Sequence, residues 1–279
     1  MKLLRKIKSI PKLIKNEGLD AFYFRVLINL GFKLKYRSII EKQKYLLQEK
    51  IKKLTKKKVI SGLYKNLELN CKSNWDNYSF SSKLLGVYEE QIQLKIQELS
   101  IKYKLENIIH LGSSDGYHIL GLVKNNILKN AYGFEMDRIS YEYSLENKKD
   151  NGSLQNVKVF NEEANLELVE KFLPEVNLKK TVFLIDIESA EYNLFTNENI
   201  DKYKKSFFVI EDHFFYDHEN RRDHFLELVK DNFNWSFIQN SMRNPFKFKI
   251  LNNFNDDDKW LLMGEGRPQS MNWLILEPK

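Results

Sequence analysis

The chain has 279 residues, of which 42% are hydrophobic, 30% charged and 13% aromatic. These proportions are typical of a globular protein with one sizeable core, and they argue against a disordered chain. The single cysteine, Cys71, excludes internal disulfides and cysteine-based zinc sites, so we expect a reducing, cytoplasmic compartment. No apolar run approaches the roughly 20 residues that span a bilayer. The amino-terminal residues do not resemble a signal peptide.

Positive charge is concentrated in the first 58 residues, which contain 18 lysine and arginine residues but only 4 aspartate and glutamate residues. Their net charge is therefore +14, and because the whole chain carries +7, the remaining residues carry −7. Apolar residues at helical spacing predict a basic helical arm with its connector over residues 1–75. This arm is expected to pack on the body or on a second copy. One alternative is contact with anionic lipid at the inner face of a membrane. Contact with nucleic acid is a third, although the lysine content also fits the general composition of the chain.

After residue 83, apolar runs alternate with helix-like segments. Apolar steps of three and four first predict an amphipathic helix within residues 84–104. Strands are then predicted at 107–111, 131–135, 157–160, 181–187 and 206–211, and two later strands at 234–240 and 272–278. Residues 76–279 are therefore expected to form an α/β domain with a doubly wound, mostly parallel sheet, and residues 241–270 a substrate insertion.

Ligands bind beyond the carboxyl ends of the strands in such a sheet, so the residues that end each strand are the candidates for a site. The first strand runs into "GSSDG", a glycine turn (residues 112–116) in which Gly112 permits a sharp turn and Gly116 a close helix start. The second strand ends in Glu135, about 20 residues later, where a carboxylate accepts hydrogen bonds from ribose hydroxyls. The pairing predicts a nucleoside ligand.

Acidic residues follow the next three predicted strands. Glu162 and Glu163 follow the third strand, where they meet an adenine amino group or cap the next helix. Carboxylates that follow a buried apolar run are costly unless they face a site or a cation. We therefore expect an acidic, proton-accepting site formed by the residues that end the fourth and fifth strands, Asp186, Glu188, Glu191, Glu211, Asp212 and His213.

The glycine turn, Glu135 and "IDIESAEYNLF" (residues 185–195) together resemble the class I S-adenosylmethionine-dependent methyltransferases. The last stretch is similar to the Asp-x-Glu-Gly-x-Glu signature of FkbM-type O-methyltransferases, and the resemblance covers roughly residue 84 to the C-terminus. It implies a Rossmann-like domain. The methionine end of the cofactor would lie against Gly112, Ser114, Asp115 and Gly116, the ribose on Glu135, the adenine near Glu162 or Glu163, and the amino group or transfer site at Asp186.

Three positions depart from the family pattern. His110 replaces an acidic residue, and Ser114 and Ser189 replace glycines. A degenerate, non-catalytic binding module at a membrane surface therefore remains an alternative.

Methyl transfer to oxygen requires a group that takes the acceptor's proton. His213 is the first candidate because its ordinary pKa of about 6.5 suits neutral pH, and Glu211 is the second. A magnesium ion on Asp186, Glu211 and Asp212 is the competing interpretation, since some methyltransferases that resemble catechol methyltransferase use such acids.

The acceptor is expected to be a sugar or another small polar hydroxyl compound of glycan or polysaccharide biosynthesis. The 241–270 segment mixes basic, acidic and aromatic residues that suit such a ligand, among them Arg243, Lys259, Trp260, Glu265 and Arg267. A nicotinamide oxidoreductase is the other enzyme class that uses a glycine turn and a ribose acid. No specific nucleic acid partner is expected, because the Asn/Asp-Pro-Pro-Tyr/Phe motif of adenine amino methylation does not follow the fourth strand.

Overall fold

The structure is a computed structural model that describes a few residues between 11 and 27 and then residues 39–70, 78–188, 190–213, 220–267 and 271–279. Most of the predicted arm before residue 39 therefore lies outside the described residues. By contacts the chain divides into two compact units, Met1–Gln43 and Lys44–Lys279. No helix among the described residues is both long and apolar enough to cross a membrane.

The larger unit begins earlier than the boundary after residue 75 that the sequence suggested. Leu47 and Ile51 of helix α1 (Ile39–Thr55), together with Tyr64 and Leu67, are buried in the same apolar cluster as residues of the sheet. Burial of each such side chain contributes about 1.5–3 kcal/mol. Residues 44–70 are thus part of the sheet-containing unit by packing, despite their basic composition.

The larger unit is built on one seven-stranded sheet in the order β3-β2-β1-β4-β5-β7-β6. The first five strands are parallel, and β7 lies antiparallel between β5 and β6. The predicted doubly wound, mostly parallel sheet is confirmed. The strands are β1 (Asn107–Leu111), β2 (Asn130–Phe134), β3 (Val157–Phe160), β4 (Thr181–Ile185), β5 (Phe207–Asp212), β6 (Phe233–Gln239) and β7 (Asn272–Pro278).

Helices cover both faces of the sheet. After α1, the helices are α2 (Phe80–Leu85), α3 (Glu90–Tyr103), α4 (Tyr117–Lys124), α5 (Arg138–Asp150), α6 (Leu166–Phe172), α7 (Ile200–Tyr203), α8 (Arg221–Val229) and α9 (Asp256–Met263). Short 3-10 turns lie at Leu178–Lys180, Glu191–Asn193, Pro245–Lys247 and Lys249–Leu251. The predicted insertion therefore contains α9, whose Leu262 and Met263 are buried in the core.

Alternate strand residues belong to two separate apolar clusters, as the period of two in a strand requires. On the first face, Val209 of β5 packs in the cluster that contains residues of α1 to α4 and α9. On the second face, Ile210 packs with residues of α6, α7 and α8. This alternation decides which strand-end side chains share a site.

The amphipathic helix predicted within residues 84–104 is divided in two. Helix α2 ends at Leu85 and is capped by Gly86, which has a φ of 79°, and α3 begins after Glu89, which has a φ of 48°. A Cβ at position 86 would overlap the carbonyl oxygen of Ser61, so the close approach of that segment requires glycine. The periodicity of Ile92, Ile96 and Leu99 is confirmed within α3, where all three are buried.

Candidate active site

The glycine turn joins β1 to α4 and contacts the end of β4. Gly112 has a φ of 82°, and a Cβ there would overlap the carbonyl oxygen of Asp186. Gly116 has a φ of 81°, and a Cβ there would lie 2.7 Å from Ser144 Oγ. Both positions therefore require glycine, for backbone conformation and for packing. The absence of a Cβ at Gly112 lets the end of β1 lie close to the end of β4.

Ser114, which stands where the family pattern has a glycine, adopts the left-handed conformation with a φ of 47°. That conformation costs a non-glycine residue roughly 1–2 kcal/mol. The backbone N–H of Ser114 donates a 2.7 Å hydrogen bond to Glu135 Oε2. Ser114 thus keeps the left-handed backbone conformation that glycine favours, and its backbone N–H points to Glu135, the residue predicted to bind ribose.

Glu135 links the glycine turn to the segment after β2. Its Oε1 accepts a 2.8 Å hydrogen bond from the backbone N–H of Asp137. Burial raises the pKa of Glu135, and the two backbone donors offset only part of that shift. A carboxylate oxygen has two lone pairs, so Glu135 can accept ligand hydroxyls in addition to these backbone bonds.

The glycine turn and Glu135 line a cavity of about 770 Å³, a volume within the usual range for a small-molecule site. Most of the predicted site residues line it: Gly112, Ser114, Asp115, Glu135, Glu163, Asp186, Glu211 and His213. Gly116, Glu162 and Asp212 are not among the lining residues, and Ser189 lies outside the described residues. Of the two acids predicted near adenine, the structure brings only Glu163 to the cavity.

Asp186 directly follows β4 and Glu211 lies near the end of the neighbouring strand β5, both on the first face. The parallel register pairs Ile185 with Ile210, which places the next residues of the two strands side by side. Burial raises the pKa of Glu211 well above its ordinary value, and the adjacent Asp186 carboxylate raises it further. The pKa of Asp186 is also raised, first by burial. The two acids therefore behave as a pair that retains a proton more readily than isolated carboxyl groups.

His213 follows β5 and is oriented by Glu191, a fully buried residue of the 3-10 turn after β4. His213 Nδ1 lies 2.8 Å from Glu191 Oε1, which also accepts a 3.0 Å bond from the Ile187 N–H. The carboxylate assigns the proton to Nδ1. Nε2 then lies 3.5 Å from Glu211 Oε2 and 3.9 Å from Asp186 Oδ1. Burial lowers the pKa of His213, but Glu191 and the other carboxylates raise it more, and the net shift is upward.

Asp212, predicted as a metal ligand together with Asp186 and Glu211, does not lie beside them. As an even-numbered residue of β5 it faces the second side of the sheet with Ile210, away from Glu211. Its carboxylate accepts hydrogen bonds from the Tyr192 hydroxyl and, at 3.3 Å, from Arg222. Asp212 therefore belongs to a buried polar contact behind the sheet.

Asp186, Glu211 and His213 form the ligand set that fits a cation, because one ligand atom from each lies within 4.8 Å of the others. The carboxylate partner on His213 Nδ1 is the usual arrangement around a metal-binding histidine. Two carboxylates and an imidazole suit a transition metal such as Mn²⁺ better than Mg²⁺, which prefers oxygen ligands. The site therefore fits a divalent cation, with His213 in the place predicted for Asp212.

Arg267 forms a buried network that the sequence patterns did not predict. Its guanidinium donates to the carboxylates of Glu89 and Glu211, and its Nε donates to Glu265 at 3.0 Å. His118 Nε2 lies 2.8 Å from Glu89 Oε2. Burial alone raises the pKa of Glu89, but the Arg267 charge and the His118 bond outweigh it and lower the pKa to about 2.

The sequence indicates Arg267 as a polar residue of the insertion, but no pattern in it indicates Glu89 or His118 as site residues. Both belong to segments whose pattern is that of an ordinary amphipathic helix. Only the packing of α3 and α4 against the loop after α9 brings them to the cavity.

No protein-family model and no curated protein sequence matches the chain. Among solved structures, the chain is similar to a human methyltransferase 10 domain containing protein at 10% identity, with a TM-score of 0.50, over 82% of this chain and 96% of that one. It is also similar to an O-methyltransferase from Bacillus cereus in complex with SAH, at 11% identity over 91% and 97% of the two chains, with a TM-score of 0.46.

A tRNA methyltransferase from B. subtilis is similar at 11% identity with a TM-score of 0.42, over 67% of this chain. This chain spans 65% of that protein, less than two thirds of its length. The similarity to the human protein and the sheet order together establish the class I methyltransferase fold.

Proposed function

We propose that the chain is an S-adenosylmethionine-dependent O-methyltransferase that acts on a small, polar hydroxyl acceptor such as a sugar. The observation that carries the proposal is that one cavity contains both Glu135, bonded to the glycine turn, and His213, oriented by Glu191. Glu135 has the position of a ribose-binding acid. His213 has the environment of a general base.

When bound, S-adenosylmethionine supplies a methyl group on a positively charged sulfur, which is already activated for displacement. The residues of this chain then have three tasks: to hold the cofactor, to orient the acceptor and to remove its proton. Glu135 and the glycine turn hold the nucleoside. Nε2 of His213 takes the hydroxyl proton, and Glu191 stabilises the imidazolium through Nδ1.

The charge of the cavity supports a small neutral acceptor over a nucleic acid. Among the described residues, nine aspartate and glutamate side chains line it against three lysine and arginine side chains. Nucleic acid binding depends on basic side chains that neutralise phosphates, so such a lining opposes it. A sugar hydroxyl carries no negative charge before it reacts and meets no such opposition.

The sheet order supports a methyltransferase over a nicotinamide oxidoreductase. Dinucleotide-binding sheets have the parallel order 3-2-1-4-5-6, whereas here an antiparallel β7 lies between β5 and β6. The acidic pair Asp186 and Glu211 also has no evident part in hydride transfer.

A metal-assisted version of the same reaction is the second candidate, because Asp186, Glu211 and His213 provide a suitable ligand set. A bound divalent cation would supply Lewis-acid activation of the acceptor hydroxyl. In that version His213 is a ligand, and Glu191 fixes its orientation.

The test is calorimetric titration of the purified protein with S-adenosylhomocysteine, S-adenosylmethionine and NAD, followed by an acceptor screen with methyl-labelled cofactor. Binding of the two sulfur nucleosides and indifference to NAD are expected. Binding of NAD alone would defeat the proposal. Binding of the sulfur nucleosides without turnover on any sugar or other hydroxyl acceptor would favour the non-catalytic module.

A further inference from the structure

The first compact unit of the chain, Met1–Gln43, exposes apolar side chains at helical spacing. The described residues between 18 and 27 are helical. Leu19, Tyr23, Val26 and Leu27 are 56%, 62%, 38% and 38% exposed. Their positions follow the i, i+4, i+7, i+8 pattern, so they form one band along the helix, which we call the apolar stripe. An exposed band of this kind marks a surface that binds an apolar partner.

The same unit is strongly basic. Residues Met1–Gln43 contain 11 lysine and arginine residues and only 3 aspartate and glutamate residues, which gives a net charge of +8. Arg25 is exposed and lies on the side of the helix opposite the apolar stripe. A helix with an exposed apolar band, within a basic segment, is typical of proteins that lie on an anionic membrane surface.

The charge of the unit distinguishes between the partners that could cover the apolar stripe. A second copy of the unit would bring another net charge of +8 to the same surface, and like charges oppose that contact. A nucleic acid would attract the basic residues, but its phosphates would leave the apolar stripe uncovered. Anionic lipid suits both features, because its head groups attract basic side chains and the boundary with the acyl chains accepts apolar ones.

We propose that the first unit binds an anionic membrane surface, with the helix of the apolar stripe lying in the plane of the interface. The stripe inserts between the head groups, and the lysine and arginine residues of the unit attract anionic lipid. None of the four stripe residues is among those that line the cavity. The proposal therefore does not depend on methyl transfer.

The test is co-sedimentation of the full chain with two kinds of vesicle, phosphatidylcholine alone and phosphatidylcholine in which about a third of the lipid is phosphatidylglycerol. The unaltered protein is expected to bind the anionic vesicles at least about 10-fold more tightly than the neutral ones. Raising the salt concentration to about 0.5 M should weaken this binding, because salt screens the charges. No binding to the anionic vesicles, or equal binding to both kinds, would overturn the proposal.

The double variant Leu19→Ser/Tyr23→Ser separates insertion of the apolar stripe from attraction by charge alone. It leaves the net charge unchanged and should weaken binding to anionic vesicles by about 10-fold or more, because the stripe loses two apolar side chains. Leu94→Ser/Ile101→Ser is the matched control, since these residues of α3 are 50% and 74% exposed and belong to the other unit. It should change binding by less than about 3-fold. Equal effects of the two double variants would contradict the proposal.

The exposed positions of both double variants predict that thermal unfolding stays close to that of the unaltered protein. If Leu19→Ser/Tyr23→Ser nevertheless failed to fold, the comparison of neutral and anionic vesicles would still decide, because it uses the unaltered protein. Light scattering without vesicles tests the second copy: a dimer that this variant dissociates would assign the stripe to self-association and overturn the proposal. Binding of a short single-stranded RNA without binding to anionic vesicles would assign the charge to nucleic acid instead, with the same consequence.

Discussion

The side chains of His213 and Glu191 form a buried pair, with Nδ1 of the imidazole 2.8 Å from a carboxylate oxygen of the glutamate. The two residues are 22 positions apart, on different strand-end segments. Glu191 belongs to the acidic motif after β4, and His213 follows β5. The pair therefore joins the two strand ends at which the acidic residues converge, and it determines which imidazole nitrogen faces the cavity.

If His213 is the base, His213→Ala is expected to lower turnover by about 100-fold or more, because the acceptor proton then has no positioned recipient. Binding of S-adenosylhomocysteine should remain within a few-fold, since Glu135 and the glycine turn are unchanged. Turnover is measured with methyl-labelled cofactor and binding by calorimetry. Full activity in this variant would assign proton removal to another group.

The pH dependence of turnover shows whether Glu191 positions and polarises His213 or only stabilises the fold. Burial lowers the pKa of His213, but the facing carboxylates of Glu191, Asp186 and Glu188 raise it more, so the net shift is upward. The base must be deprotonated, so turnover should rise with pH through a value above 6.5. Glu191→Gln should move this limb to lower pH and reduce the maximum rate by about 10-fold. A variant that only unfolds would lose activity without moving the limb.

Chelation distinguishes the metal-assisted version from the base mechanism. With His213 as base, turnover should survive a chelator. With a cation on Asp186, Glu211 and His213, chelation should abolish turnover and Mn²⁺ should restore it. Asp186→Asn would then reproduce the chelated enzyme. Asp212→Asn is the control, because Asp212 faces Tyr192 and Arg222 behind the sheet and should not alter metal binding.

Cofactor affinity is expected to depend on Glu135 and on its ionised form. Glu135→Ala should weaken S-adenosylhomocysteine binding by about 10-fold or more, because hydrogen bonds to an ionised group contribute about 1.5–3 kcal/mol. The pKa of Glu135 is raised by burial, so affinity should fall as pH drops through a value above 4.5. Glu162→Ala is the control, since Glu162 does not line the cavity. Equal effects of the two substitutions would contradict the assigned ribose site.

Two substitutions in the glycine turn should change stability in opposite directions. Gly112→Ala forces a Cβ against the Asp186 carbonyl at a positive φ, and we expect it to destabilise the protein by about 3 kcal/mol or more. Ser114→Gly relieves the left-handed strain at a smaller entropic cost, and a gain of about 0.5–1 kcal/mol is expected. Denaturant unfolding measures both free energies. Destabilisation by Ser114→Gly would show that the serine side chain makes a contact worth more than the strain.

The amino-acid sequence by itself determined the chain order of the seven strands and the identity of most strand-end residues, but it predicted neither α7 nor α9. Strands β1, β3 and β7 have the predicted limits, because a buried strand is a local apolar run bounded by polar residues. The proximity of the glycine turn and Glu135 was predictable for a similar reason, since it depends on short spacings within one strand–turn–helix–strand unit.

Only the tertiary structure decided which of the strand-end residues share the cavity. Glu211 and Asp212 are adjacent in sequence and chemically alike, yet they lie on opposite faces of the sheet because side chains alternate along a strand. The packing of the helices then determines which of the two faces contains the cavity. Glu89, His118 and Arg267 come from segments up to 178 residues apart, and their network forms only because α3, α4 and the loop after α9 pack over one sheet face. Such contacts depend on distances in space that no local pattern encodes.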